Sequence, residues 1–139
     1  MTFARLTSRF GVAAQLDLEA LAIAKADGYT DIACFRPDAE AGDFPHEAAM
    51  AAEAARLGLR FHYAPMRDMS PTDAARQAVA ASGEGDVRML GYCKSGRRAA
   101  VAWLQGALEQ GTPLADALDQ ARAAGHDLAG LASQFTGSD

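Results

Sequence analysis

The most informative part of the sequence is residues 88–98, which read RMLGYCKSGRR. A short apolar run ends at Cys93, and a basic turn that contains Gly96 leads into a strong helical pattern. Backbone N–H groups at the start of a helix stabilise negative charge, and neighbouring Lys and Arg side chains favour the thiolate form of a cysteine. The same N–H groups can bind an oxyanion beside the sulfur. This stretch therefore predicts a strand–loop–helix unit that carries a reactive thiol and an anion-binding loop.

Strand and helix patterns alternate on both sides of this unit. The predicted strands cover residues 9–12, 31–35, 59–63 and 87–92. The predicted helices cover residues 18–26, 45–57, 71–81 with Ser70 as N-cap, 98–109, 113–124 and 128–134. Such alternation is typical of an α/β fold, here a central, mainly parallel sheet of four to five strands flanked by helices. We expect residues 1–139 to form a single domain, in which residues 112–135 add C-terminal helices and residues 136–139 are frayed.

The predicted topology brings three loops together. Parallel sheets place their sites beyond the C-terminal ends of the strands. The segments that follow successive strands are residues 34–38, 64–68 and 93–98, and all three contain reactive or charged side chains. A site that includes Cys93 is therefore expected at this edge of the sheet.

The amino-acid composition restricts the kinds of partner that such a site is expected to bind. The formal net charge of −5 argues against a general nucleic-acid binder, but basic residues cluster near Cys93 and suit a small anionic substrate. Only two cysteines occur in 139 residues, which favours a reducing cytoplasm over a disulfide-rich extracellular setting. No apolar run is long enough to span a membrane. His46, His62 and His126 lack metal-ligand spacing, so we expect no metal and no cofactor.

The motifs together resemble a known family. Tyr92 and a strand precede the run Cys93-Lys94-Ser95-Gly96-Arg97-Arg98, and an earlier strand ends in Arg36-Pro37-Asp38. These features resemble the phosphatase-like domain of beta-lactamase-hydrolase-like proteins over about residues 8–110. That bacterial family is similar in fold to the dual-specificity phosphatases and is described both as a phosphatase and as a sulfur transferase.

The resemblance implies roles for the residues of the cysteine loop. Cys93 would be the nucleophile, and the backbone N–H groups of residues 94–97 (Lys94, Ser95, Gly96 and Arg97) would bind the substrate anion. Arg98 would hold the same anion with its guanidinium, although an arginine here could instead cap or salt-bridge on the helix surface. Arg97 could equally point to solvent.

The other two loops carry candidates with two interpretations each. In the dual-specificity phosphatases an Asp from a loop like residues 64–68 protonates the leaving oxygen, so Asp68 would be a general acid or a solvated loop acid. Arg36 could contact substrate or could pair with Asp38 to shape its loop. Cys34 is expected to be a buried packing residue; alternatively it forms a disulfide with oxidised Cys93, as a second cysteine does in some lipid-phosphatase relatives.

The length of the loop departs from the phosphatase pattern. Phosphatase loops place five residues between the Cys and the Arg, but here the corresponding position is Ala99 and Arg98 comes one place earlier. The resulting loop from Cys93 to Arg98 has six residues and resembles that of the rhodanese sulfurtransferases, whose smaller loop suits a persulfide sulfur.

The sequence is therefore compatible with three functions. In the first, Cys93 is the thiolate of a phosphatase-like hydrolase and attacks a phosphate ester. In the second, Cys93 carries a persulfide taken from a donor such as thiosulfate. In the third, the loop only binds anions and the protein is not an enzyme.

Overall fold

The computed structural model describes residues 3–135 of the chain, so the tail at residues 136–139 that we expected to fray lies outside the described residues. The strands are β1 (Ala4–Arg5), β2 (Phe10–Ala13), β3 (Asp31–Cys34), β4 (Arg60–Tyr63) and β5 (Met89–Tyr92). The α-helices are α1 (Leu18–Ala26), α2 (Glu47–Arg56), α3 (Asp73–Ala81), α4 (Arg97–Glu109) and α5 (Leu114–Ala123), followed by a 3₁₀ helix over Ala129–Phe135.

The sheet has five strands in the order β1-β2-β5-β3-β4. Strand β5 lies at its centre, parallel to β2 on one side and to β3 on the other. Strand β4 is parallel to β3, whereas β1 is antiparallel to β2. The predicted α/β architecture with a mainly parallel sheet is confirmed, and the sequence pattern missed only the two-residue β1.

Alternate residues of β5 supply two separate hydrophobic clusters. Met89 and the following Cys93 belong to the cluster beneath α3, α4 and α5, whereas Leu90 and Tyr92 belong to the cluster beneath α1 and α2. The layers are therefore helix, sheet, helix, because both faces of a parallel sheet must be covered. Gly91 has no room for a side chain, since a Cβ there would lie 2.9 Å from the Phe35 ring.

Helix boundaries follow local capping, with one correction. Asp17 caps α1 by accepting the Ala20 N–H at 2.8 Å, as expected for an N-cap aspartate. The predicted N-cap of α3, Ser70, was wrong: Thr72 accepts the Ala75 N–H at 3.1 Å and the helix begins at Asp73. The predicted last helix is a 3₁₀ helix instead of an α-helix.

The parallel strands end at one edge. The paired residues Ala13 and Tyr92 in β2 and β5, and Cys34 and Tyr63 in β3 and β4, all lie in the last register position. The loops that follow β3, β4 and β5 are the segments that the sequence predicted to form the site.

Candidate active site

Cys93 follows β5 directly and is fully buried at the start of a loop that ends in helix α4. The Gly96 N–H donates a hydrogen bond to the Cys93 Sγ at 3.2 Å. Gly96 is also the N-cap of α4, so the sulfur lies at the positive end of a 13-residue helix. The arrangement stabilises negative charge on or next to the sulfur.

The loop is tight on its outer side. Gly96 has a φ of +92°, which favours glycine, and a Cβ there would lie 3.1 Å from the His126 Nε2 and 3.2 Å from the Ala13 carbonyl oxygen. The Gln15 N–H donates to the Lys94 carbonyl at 3.2 Å. Neighbouring segments therefore hold the loop backbone in place, and both the positive φ and the close neighbours favour glycine at position 96.

Arg98 lies in the first turn of α4 and is 8% exposed. Its Nη1 donates to the Glu40 Oε2 at 2.5 Å and to the Met66 carbonyl at 2.7 Å, and its Nη2 donates to the Glu40 Oε1 at 3.0 Å. These bonds use three of the five guanidinium N–H donors. Within residues 3–135, no oxygen accepts from the Nε–H or from the second Nη2–H, which share one edge of the guanidinium.

The charge of Arg98 is linked to the sulfur. The hydrogen bonds that Arg98 donates to Glu40 are the main cause that raises the pKa of Arg98, and the nearby Cys93 adds to the rise. The Arg98 guanidinium and the Cys93 sulfur are therefore close enough to influence each other electrostatically.

Glu40 and Gln15 are site residues that sequence reasoning missed. Arg36 is 5% exposed, and its guanidinium donates to the Glu40 Oε1 at 3.1 Å, to the Gln15 Oε1 at 3.2 Å and to the Ala41 carbonyl at 2.8 Å. Its guanidinium also stacks 3.6 Å from the centre of the Phe44 ring. Glu40 thus bridges Arg36 in one loop and Arg98 in the first turn of α4. The only signal in the sequence was an acidic residue four positions after Arg36.

The expected pairing of Arg36 with Asp38 is wrong. The Asp38 carboxylate accepts the Glu47 N–H at 2.9 Å near the start of α2, and the Asp38 N–H donates to the Tyr63 hydroxyl at 2.9 Å. Asp38 is satisfied by these groups, and Glu40 takes the place next to Arg36. A contact between Arg36 and substrate stays a prediction.

Asp68 lies in the loop whose Met66 carbonyl contacts Arg98. The side chain is exposed, and its Oδ1 accepts the Ser70 N–H at 2.8 Å, which closes a short turn before α3. The topology therefore brings the Asp68 loop next to the arginine of the cysteine loop. Its role as a general acid stays a prediction.

The remaining loop residues differ in their surroundings. Lys94 and Ser95 are exposed, and the Ser95 Oγ accepts the Arg97 N–H at 3.2 Å. The Arg97 Nη1 donates to the Asp127 carbonyl at 3.1 Å, so this side chain contacts the C-terminal part of the chain. Arg98 is thus the buried arginine of the pair, whereas Arg97 lies at the rim.

Cys34 is a buried free thiol on the other face of the sheet. It belongs to the cluster beneath α1 and α2, whereas Cys93 belongs to the opposite cluster. Its Sγ donates to the Arg36 carbonyl at 3.3 Å, and burial raises the pKa of the Cys34 thiol. The structure agrees with a packing role, and a disulfide with Cys93 stays a prediction.

Within residues 3–135 no group of three or more His, Cys, Asp or Glu side chains could hold a metal ion. None of the helices in that part of the chain is long and apolar enough to cross a bilayer.

The Glu40–Arg98 pair makes stability depend on pH. The hydrogen bond from Arg98 is the main cause that lowers the pKa of Glu40. A carboxyl group whose pKa is lower in the folded protein stabilises the fold at pH values above its pKa in the unfolded chain, which is about 4.3. That contribution is lost as the pH falls through the pKa of the folded protein. We expect Glu40→Gln to lower the free energy of unfolding at pH 7 by about 1–2 kcal/mol, since Glu40 is partly exposed.

Urea unfolding of both proteins between neutral and acidic pH measures this difference. The difference in free energy of unfolding between wild type and Glu40→Gln should be largest at pH 7 and should shrink below about pH 4.3. Glu53→Gln in α2 is the control, because its partner Arg56 is exposed and the difference from wild type should therefore be small at every pH. A gap that grows on acidification would contradict the predicted role of Glu40.

Comparison with known sequences identifies one matching family. The model of the phosphatase-like domain of beta-lactamase hydrolase-like proteins matches residues 2–112. A beta-lactamase hydrolase-like protein of Xylella fastidiosa (strain Temecula1) is 41% identical over 75 residues, which are 52% of this chain. The match covers only 17% of that relative's own length.

Solved structures share the fold at low sequence identity. A protein of Neisseria meningitidis Z2491, provisionally described as a phosphatase, superposes with a TM-score of 0.83 at 22% identity, covering 100% of this chain and 99% of that one. The catalytic core of the PP-IP phosphatase Siw14 from S. cerevisiae, solved with citrate, has a TM-score of 0.68 at 15% identity. It covers 96% of this chain and 82% of that one. The fold is that of the cysteine-based phosphatases.

Proposed function

The chain belongs to the family of the phosphatase-like domain of beta-lactamase hydrolase-like proteins, and we propose that it is a phosphatase whose nucleophile is Cys93. The observation that carries the proposal is the Gly96 N–H that donates to the Cys93 Sγ at the start of helix α4. This contact places a hydrogen-bond donor and the positive end of a helix beside the sulfur, and the thiolate is the form of cysteine that attacks phosphorus.

The reaction proceeds in two displacements. The Cys93 thiolate attacks the phosphorus, an S–P bond forms, and the P–O bond to the leaving alcohol breaks. The leaving oxygen takes a proton from Asp68. Water then attacks the phosphorus of the cysteinyl phosphate and gives its proton to the Asp68 carboxylate, and inorganic phosphate leaves with the thiolate restored. The loop N–H groups and Arg98 stabilise the charge on the equatorial oxygens in both steps.

Glu40 is a positioning residue in this scheme. It occupies the end of the Arg98 guanidinium formed by Nη1 and Nη2, and Met66 accepts the other Nη1–H. The edge formed by Nε and Nη2 stays available, and this edge can bind two oxygens of a phosphoryl group. An arginine held in this way loses little conformational freedom when substrate binds.

Replacement of Asp68 tests its role as the general acid. We expect Asp68→Asn to lower kcat for phenyl phosphate by about 10²-fold, because its poor leaving group needs a proton, and to lower kcat for para-nitrophenyl phosphate far less. Steady-state kinetics with both esters measure the difference. Asp86→Asn, in an exposed turn before β5, is the control that should change neither. Equal losses with the two esters would contradict acid catalysis by Asp68.

A second candidate function is persulfide transfer, which the six-residue loop from Cys93 to Arg98 favours. In this reaction the Cys93 thiolate attacks the outer sulfur of thiosulfate, an S–S bond forms, and sulfite leaves. A thiol or cyanide acceptor then attacks the terminal sulfur and restores the thiolate. The smaller loop has one backbone N–H group fewer to bind equatorial oxygens, which matters less for a single sulfur atom.

Two parallel assays and one mass measurement separate the candidates. The assays are hydrolysis of para-nitrophenyl phosphate and formation of thiocyanate from thiosulfate and cyanide. Intact mass after brief incubation with each donor reports whether Cys93 gains a phosphoryl group or a sulfur atom. The proposed phosphatase predicts turnover in the first assay and the phosphoryl adduct. An unmodified, slowly alkylated Cys93 that still binds phosphate would instead indicate the non-catalytic anion-binding module.

A further inference from the structure

Residues 126–134, which we call the C-terminal clamp, contact two loops of the site. The clamp follows α5, includes most of the 3₁₀ helix and lies beyond the residues 2–112 that the family model matches. Its first residue, His126, contacts the cysteine loop, and its last residue, Gln134, contacts the loop that carries Asp68.

The first contact is with Gly96 and Arg97. The His126 ring lies so close to Gly96 that its Nε2 would be 3.1 Å from a Cβ at that position. The next residue, Asp127, accepts a hydrogen bond from the Arg97 Nη1 through its carbonyl oxygen at 3.1 Å. Burial, and to a lesser extent the charge of Arg97, lower the pKa of His126 and so favour the neutral form of the ring. His126 thus packs against the residue whose N–H donates to Cys93.

The second contact is with the Asp68 loop. The Gln134 Nε2 donates to the Met69 carbonyl at 2.8 Å, one residue after Asp68. The same loop contacts Arg98 through the Met66 carbonyl. The loop is therefore held at Met66 by the arginine and at Met69 by the clamp, and Asp68 lies between these two points.

The clamp is itself anchored in the core. Leu128 is fully buried in the hydrophobic cluster that includes Cys93, together with Ala117 and Ala121 of α5. The Asp127 Oδ1 also accepts the Ala129 N–H at 3.0 Å and begins the 3₁₀ helix. Because its middle is fixed, the clamp can transmit rigidity to both loops.

We propose that His126 and Gln134 are positioning residues that fix the cysteine loop and the Asp68 loop relative to each other through the C-terminal clamp. The expected effect on rate rests on the proposed chemistry at Cys93, whereas the contacts of the clamp do not. It extends the functional part of the chain beyond the matched family region. Substrate is aligned only when both loops hold their places, and a misplacement of about 1 Å can cost about 10²-fold in rate.

Hydrogen exchange measured by mass spectrometry tests the clamp without any need for turnover. We expect His126→Ala to speed amide exchange in residues 94–98, and Gln134→Ala to speed it in residues 66–72, with no change in β3. Gly130→Ala is the matched control in the same segment, because a Cβ there meets no atom within 4 Å. Uniformly faster exchange through β3 would show general destabilisation and would overturn the proposal, as would unchanged exchange in both loops.

Kinetics provide the second readout. Each of the two variants should lower kcat by about tenfold with little change in KM, since misalignment affects the reacting geometry more than binding. His126→Gln, which keeps an N–H donor and a planar group, should recover part of the loss. A wild-type protein inactive in both assays would refute the proposed function but leave the exchange result valid, so the two failures are distinguishable. Local exchange changes with unaltered kcat would overturn the positioning role.

Discussion

Replacing Cys93 by serine is expected to lower hydrolysis of para-nitrophenyl phosphate by at least about 10⁴-fold. Serine has nearly the same size, and its hydroxyl can still accept the Gly96 N–H that now contacts the sulfur. The hydroxyl is not ionised at neutral pH, and no general base lies within hydrogen-bond distance of Cys93 among residues 3–135. The loss of activity therefore results from the missing nucleophile, and the fold and the loop should remain unchanged.

Three measurements make this expectation specific. Phosphate or vanadate binding should be retained in Cys93→Ser, because the loop N–H groups and Arg98 are unchanged. Cys34→Ala under reducing conditions is the matched control, since Cys34 is also a buried free thiol but faces the other cluster. Turnover that survives Cys93→Ser in both the phosphatase and the thiocyanate assays would rule out the mechanism altogether.

The second large effect is expected from Arg98→Lys, which should lower kcat/KM by about 10²–10³-fold. Lysine keeps the positive charge but has no planar fork, so it cannot hold Glu40 and two oxygens of a phosphoryl group at once. The loss of the bonds to Glu40 and to the Met66 carbonyl should also release the loop that carries Asp68.

Arg76→Lys provides the control for this substitution. Arg76 also pairs with a glutamate, Glu109, but on the exposed surface of α3 and α4. It should leave kcat/KM unchanged, because a surface pair contributes little and lies away from the loops. If Arg98→Lys retained wild-type kcat/KM, Arg98 would be only a structural partner of Glu40.

Local sequence patterns predicted the framework of the site because each of them depends on neighbouring residues. The apolar run before Cys93, the glycine at position 96 and the helical spacing that follows define a strand, a loop and a helix without reference to the rest of the chain. Alternation of strands and helices then implied a parallel sheet, and the topology brought the three loops to one edge. The exceptions were small: β1 is too short to show a pattern, and the N-cap of α3 is Thr72 instead of Ser70.

By itself the sequence determined the candidate nucleophile, the candidate anion-binding loop and the α/β fold. Only the tertiary structure decided which groups hold that loop. Glu40 lies 58 residues before Arg98, and His126 lies 30 residues after Gly96, so no periodicity links either pair. Such contacts depend on side-chain packing between elements that are remote in the chain, and a polar residue in a loop can find its partner in many places. Arg36 demonstrates the point, since its partner is Glu40 and not the nearer Asp38.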